Sequence, residues 1–187
     1  MKHSTGLSLI ELLICLSIIA LLLMQTDDPF FGQTRLRHDI DDSMQELAAS
    51  ITLARAAAVA ENVMVTFCRS SDGQHCLGRW EQGSIVFTDA NADRIINDND
   101  RLLFRNNAPK AAGSLNFNSF RNRQYLQLTP RGATNSQNGN FTFCPTNGDP
   151  TLARQLIINV TGRARHARDT DKDGIMENSQ GKPLPCQ

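Results

Sequence analysis

An α+β chain, with a long N-terminal α-helix laid against an antiparallel β-sheet head, is what the sequence predicts. Three observations predict it. An apolar block, Leu7 to Met24, stands near the start of the chain. An apolar stripe at spacings of three and four follows, from Leu36 to Ala58. After Asn62 both give way to short β-like runs separated by Gly, Pro and Asn. The length, 187 residues, suits one globular domain plus an appendage. With 19 basic and 19 acidic residues the charges balance, so any affinity for an anion must come from a local cluster.

The apolar block reads Leu7-Ser-Leu-Ile-Glu11-Leu-Leu-Ile-Cys-Leu-Ser-Ile-Ile-Ala-Leu-Leu-Leu-Met24. As a helix it is just long enough to cross hydrocarbon, at ~1.5 Å per residue. A cleavable secretory signal would carry a small-residue cut site after the block, and Gln25-Thr26-Asp27-Asp28 offers none. A buried core helix would show a polar side, and only serines and Glu11 interrupt this one. A carboxylate in a bilayer costs about 3 kcal/mol and needs a partner. No Lys or Arg lies within the block. A cut after Gly6 would supply one: the new amino group of Leu7, four residues from Glu11, or the same group on a packed neighbouring helix.

Gly6-Leu7-Ser8-Leu9-Ile10-Glu11-Leu12-Leu13 resembles the G-F-T-L-I-E-L-L signature of the prepilin family, with Leu7 where Phe is usual. The resemblance implies a type IV pilin-like fold and a leader, residues 1–6, removed by prepilin peptidase. It implies N-methylation of Leu7, and Glu11 as the residue that guides docking among other pilin or pseudopilin subunits. Residues 7–28 are then a transmembrane and filament-core helix in the inner membrane, and residues 63–187 a periplasmic head.

Asp27-Asp28-Pro29 stops the span, and Pro29 with Gly32 is expected to kink or interrupt the helix. Residues 29–62 form the amphipathic part, with Leu36, Ile40, Met44, Leu47, Ile51, Ala54 and Ala58 on one face and Asp39, Asp42 and Glu46 largely off it. Strands are expected at 63–68, 84–88, 101–105, 114–117, 125–129, 141–144 and 155–160, between turns such as Ser71-Asp72-Gly73 and Asn138-Gly139. Residues 169–187 are polar and expected to be loosely ordered until Cys186 pins them.

Of five cysteines, Cys15 lies in the apolar block and is expected to be a buried, inert thiol. Cys68, Cys76, Cys144 and Cys186 read as two disulfides of an exported domain. Three pairings are possible; the cheapest joins Cys68 to Cys76 and Cys144 to Cys186. Zinc is disfavoured, since there is no C-x-x-C and only His75 stands beside a cysteine.

A second resemblance is carried by Leu53-Ala-Arg55-Ala-Ala-Ala-Val59, by Val63 to Gly73, by Trp80 and Gly83 before Ile85-Val-Phe87, and by Phe143-Cys144-Pro145 and Ala153-Arg154 before Leu156-Ile-Ile158. These are similar to the GspH/FimT group of minor pilins and pseudopilins. The resemblance implies a minor subunit, of a type IV pilus or of a type II secretion pseudopilus. Gly162-Arg163-Ala164-Arg165 resembles the G-R-x-R element in the tail of FimT-like minor pilins, which is associated with binding incoming double-stranded DNA in natural transformation. Physically, two arginines spaced by one residue in an extended segment project to one side, and forked guanidiniums suit phosphate oxygens. Arg168, His166 and Arg154 extend the candidate patch. Arginines on an edge strand also block illicit strand pairing, which is the plainer reading.

Acids follow at once. Asp169-Thr-Asp171-Lys-Asp173-Gly174 matches the start of a calcium loop, although Gln180 stands where the twelfth-position glutamate belongs and Glu177 would serve only in a different loop geometry. Asp89-Ala-Asn91-Ala-Asp93, with Asp98 and Asp100, lacks the sixth-position glycine and reads as turn-forming. No G-x-S-x-G, H-E-x-x-H or P-loop occurs, and the four histidines are scattered, so no enzyme is expected.

Overall fold

The computed structural model describes residues 8–23 and 29–186, without the side chains of residues 23 and 29–31. The expected leader, the cleavage site at Gly6 and Leu7, and Asp27 and Asp28 lie outside the described residues. The chain divides into two units, Met1–Arg37 and His38–Gln187.

In the first unit α1 spans Leu9–Leu23. Its apolar side chains are exposed all round: Leu9, Ile10, Leu12, Leu13, Ile14, Leu16, Ile18, Ile19, Leu21 and Leu22 are each more than half accessible in the single chain. Cys15 shares this surface and is exposed in the single chain. Among the described residues no helix is long and apolar enough to cross a membrane. The fifteen described residues of α1 measure about 22 Å. α2 runs Pro29–Glu61. Pro29 is helical, and the expected interruption before it lies outside the described residues. Gly32 is helical too.

In the second unit the predicted stripe is the buried face of α2. Ile40, Met44, Leu47, Ile51, Ala54 and Ala58 are all 5 % accessible or less. Three polar links stitch that stretch to the β head: Ser50 Oγ with Asn106 Oδ1 at 3.1 Å, Arg154 Nε with Asp41 Oδ1 at 2.6 Å, and Arg55 Nε with the Gly132 carbonyl at 3.1 Å.

The head holds two four-stranded antiparallel sheets. The first has the order β3-β2-β1-β5, from β1 Val65–Arg69, β2 Ser84–Thr88, β3 Leu102–Asn106 and β5 Tyr125–Leu128. The second has the order β4-β6-β7-β8, from β4 Gly113–Ser119, β6 Gly139–Pro145, β7 Arg154–Ile158 and β8 Ala164–His166. Seven strands fall at the expected places within a few residues. β8 was not expected, and neither was the division into two sheets.

A cluster of aromatic rings joins the sheets. Trp80, in a short 3-10 turn before β2, lies 5.2 Å from Phe67 of β1, 4.7 Å from Phe141 of β6 and 5.7 Å from Phe117 of β4, centroid to centroid. The opposite face of the first sheet buries Cys68, Ile85 and Phe87 against Cys76, Ile96, Leu102 and Tyr125. Two loops cover that face. One is closed by the Cys68–Cys76 disulfide. In it the His75 ring, the backbone N–H groups of Gln74 and His75, and the Ser70 hydroxyl hold the Asp72 carboxyl well below the usual carboxylate range. The other loop, 89–100, is organised by Asp89. Its fully buried carboxylate accepts from Thr66, from Gln127 at 3.2 Å, and from the N–H groups of Asp93 and Arg94 at 3.0 and 3.1 Å. That agrees with the turn-forming reading of this acidic set.

Candidate functional site

The β7–β8 hairpin carries the arginine motif. Asn159 builds its turn: one side-chain oxygen accepts from the N–H of Thr161 at 3.1 Å and of Arg163 at 3.0 Å. Gly162 follows with φ +72°, a backbone state that glycine adopts without strain. A Cβ there would stand 2.3 Å from the Gly132 carbonyl oxygen, so only glycine lets the hairpin close on the neighbouring loop. Arg55 of α2 locks the same junction, donating to the carbonyls of Gly132 at 3.1 Å and Thr161 at 3.3 Å. Its positioning role carries no local signal, because its partners lie 77 and 106 residues away.

Beyond the turn, Arg163 and Arg165 flank Ala164. Arg165 pairs in register with Ile157, and Ala164 with the buried Ile158. Alternation therefore turns Arg165, with Arg163 two residues before it, away from the core. Both are exposed, as is Arg168. None of the three has an ion-pair partner among the described residues. β8 is an edge strand, so this face is open to a ligand. Arg154 does not join it. It pairs with Phe143 on the inward side, its side chain is 12 % accessible, and it is held by Asp41 and by the carbonyls of Thr151 and Ala153. An arginine so bound to a carboxylate and two carbonyls has little left for phosphate, which corrects the expectation.

Past β8 the acidic loop does converge. Ligand oxygens of Asp169, Asp171, Asp173 and Glu177 all lie within 4.8 Å of one another. An all-carboxylate oxygen set suits a hard cation such as calcium. The loop also closes by itself: Asp169 accepts from the N–H of Lys172 at 2.6 Å and of Gly174 at 2.9 Å, and Glu177 accepts from the N–H and hydroxyl of Thr170 at 2.7 and 2.9 Å. Glu177, 6 % accessible, joins the set although Gln180 stands at the twelfth position, which is the different loop geometry the sequence required of it. A bridge between Glu177 and Arg168 brings it back.

Both disulfides take the cheapest pairing, Cys68–Cys76 and Cys144–Cys186. The tail is better ordered than expected: Leu184 is buried and its N–H donates to the Met176 carbonyl at 3.1 Å. Glu11 lies in the first turn of α1, exposed, and its carboxylate has no partner among the described residues.

Comparison with known proteins follows the same lines. The family model of type II transport protein GspH matches residues 43–162. That of the prokaryotic N-terminal methylation motif matches residues 1–24. No curated protein sequence matches. Among solved structures, the type IV minor pilin FimU of Pseudomonas aeruginosa is similar in fold. One crystal form gives a TM-score of 0.56 at 20 % identity over 85 % of this chain and 100 % of that one. A second form gives 0.51 at 20 % identity over 71 % and 94 %. The minor pseudopilin EpsH from the type 2 secretion system of Vibrio cholerae gives 0.48 at 13 % identity over 68 % and 95 %.

Proposed function

Because this chain belongs to the type II transport protein GspH family and is a minor pilin or pseudopilin, we propose that it is a minor subunit of a type IV pilus that captures double-stranded DNA for uptake. In this reading prepilin peptidase removes residues 1–6 and Leu7 is methylated. The apolar helix sits in the inner membrane as a single pass until assembly, with the head in the periplasm. The exposed apolar surface of α1 is then covered by the helices of neighbouring subunits, and Glu11 neutralises a terminal amine, its own or a neighbour's.

One observation carries the DNA reading: Arg163 and Arg165 share one face of an open edge strand with no acid paired to them. Two parallel guanidinium forks at that spacing suit backbone phosphates and read no sequence. A gel-shift titration of the detergent-solubilised protein with duplex DNA tests it, comparing wild type with the double variant Arg163→Ala/Arg165→Ala. The wild type is expected to shift DNA at low salt. The double variant is expected to bind at least about tenfold more weakly, and to lose roughly 2 from the slope of log affinity against log salt. Repeating the titration with calcium reads the acidic loop. A cation held by Asp169, Asp171 and Asp173 would offset their repulsion of phosphate and tighten binding. No shift at low salt leaves the purely structural subunit, whether of a secretion pseudopilus or of a pilus-priming complex.

A further inference from the structure

A second cationic site lies away from the hairpin. A cleft of about 470 Å³ opens over the loop-covered face of the first sheet, with Arg69, Arg94 and Tyr125 in its lining. Tyr125, the sole tyrosine, organises it. The Arg94 guanidinium lies 4.8 Å from the ring centroid and that of Arg123 5.9 Å. Arg123 also donates to the tyrosine hydroxyl at 3.1 Å. Stacking on a ring engages the flat face of a guanidinium; Arg94 Nε donates to the Asp93 carbonyl at 3.3 Å, which leaves its terminal NH2 groups for a ligand.

The arrangement is built, not incidental. Arg94 has φ +68°, a state costly for a residue with a side chain. The buried Asp89 carboxylate holds it there by accepting the N–H groups of Asp93 and Arg94. Guanidiniums gathered this way repel one another unless an anion joins them. Among the described residues none of Arg69, Arg94 and Arg123 has a carboxylate in ion-pair range. The one acid in the lining, Asp93, turns its oxygens to its own loop: one accepts the Ile95 N–H at 2.8 Å, the other the Asn91 side-chain amide at 2.7 Å.

We propose that this cleft binds a phosphate group carried on a nucleotide-sized body. Arg69 and Arg94 donate to the phosphate oxygens, and Tyr125 and Arg123 hold the array. The volume exceeds what phosphate alone needs and lies in the range of small-ligand sites. Ile95, 60 % accessible at the rim, offers an apolar surface to a base. The cleft stands on its own geometry; only the source of the phosphate, a nucleic-acid strand, rests on the DNA reading.

Calorimetric titration of the detergent-solubilised protein with inorganic phosphate and, separately, with single-stranded oligothymidylate tests this. Oligothymidylate is expected to bind, and Arg69→Gln/Arg94→Gln to weaken it at least about tenfold, as loss of charge-assisted hydrogen bonds does. Arg163→Ala/Arg165→Ala retains binding at the cleft, so failure here and failure of the hairpin reading are separable. Arg69→Gln alone, at a β1 residue whose side chain has no hydrogen bond, ion pair or ring contact among the described residues, keeps the test valid should the double variant fold poorly. Binding of either probe that the substitutions remove supports the site, and which probe binds identifies the source. Absence of binding by both probes, or equal affinity in wild type and variants, overturns it.

Discussion

Trp80→Ala is expected to destabilise the head by about 3–5 kcal/mol. The indole is 3 % accessible and touches rings from both sheets: Phe67 on one, Phe117 and Phe141 on the other. Its removal leaves a cavity in the aromatic packing that the two sheets share, and it takes away the indole N–H that Gln124 accepts at 3.2 Å. Against a total stability of about 5–15 kcal/mol, that is a large fraction. Trp80→Phe keeps a ring and should cost well under half as much. Urea unfolding followed by far-ultraviolet circular dichroism measures both. Fluorescence cannot, since Trp80 is the sole tryptophan. A midpoint for Trp80→Ala equal to that of wild type would show that the sheets do not depend on this cluster.

Replacing Cys144 and Cys186 by serine is expected to cost about 4 kcal/mol, against about 2.5 kcal/mol for Cys68 and Cys76. The difference follows from loop length: the bridges close separations of 42 and 8 residues. The long bridge has a local consequence as well. It ties down a tail whose other anchors are the buried Leu184 and the bridges of Glu177 with Arg168 and Pro183. Without it, amides of residues 175–186 should exchange with solvent far faster than those of β6 and β7. Unchanged protection of the tail would assign its order to those weaker contacts alone.

The legible parts of the sequence were those where one face is buried and the other wet. The stripe from Ile40 to Ala58 shows this, because a helix half-covered by a sheet must repeat every three or four residues. Strand β2 was legible for a different reason: Ser84–Thr88 is buried throughout, and a short apolar run between a Gly and an Asp reads as a central strand. Strand β8 was not legible. Ala164–His166 is a three-residue edge strand, and its charged face looks like a loop. The division into two sheets was hidden as well. Register and strand order are set by pairings such as Gly113 with Pro145, far apart in sequence.

The candidate site was read unevenly for the same reason. Arg163 and Arg165 were found because their chemistry and spacing are local. Arg154 was misplaced, since nothing local reveals that Asp41, 113 residues earlier, holds it. The Arg94 and Tyr125 cleft was missed, because its residues meet only once β5 and the Asp89 loop are side by side. The asparagine turn at Asn159 and the φ > 0 glycine after it were suggested only by Gly162 itself.

Assembly remains the root of the functional reading, and it turns on Glu11 and the chemistry at Leu7. A helix with apolar side chains exposed on every side, bearing one carboxylate, is stable among like helices only when a cation meets that acid. Intact mass spectrometry of the protein from its native envelope measures this most directly. The predicted result is a chain that starts at a methylated Leu7. A chain that still begins at Met1 would contradict it.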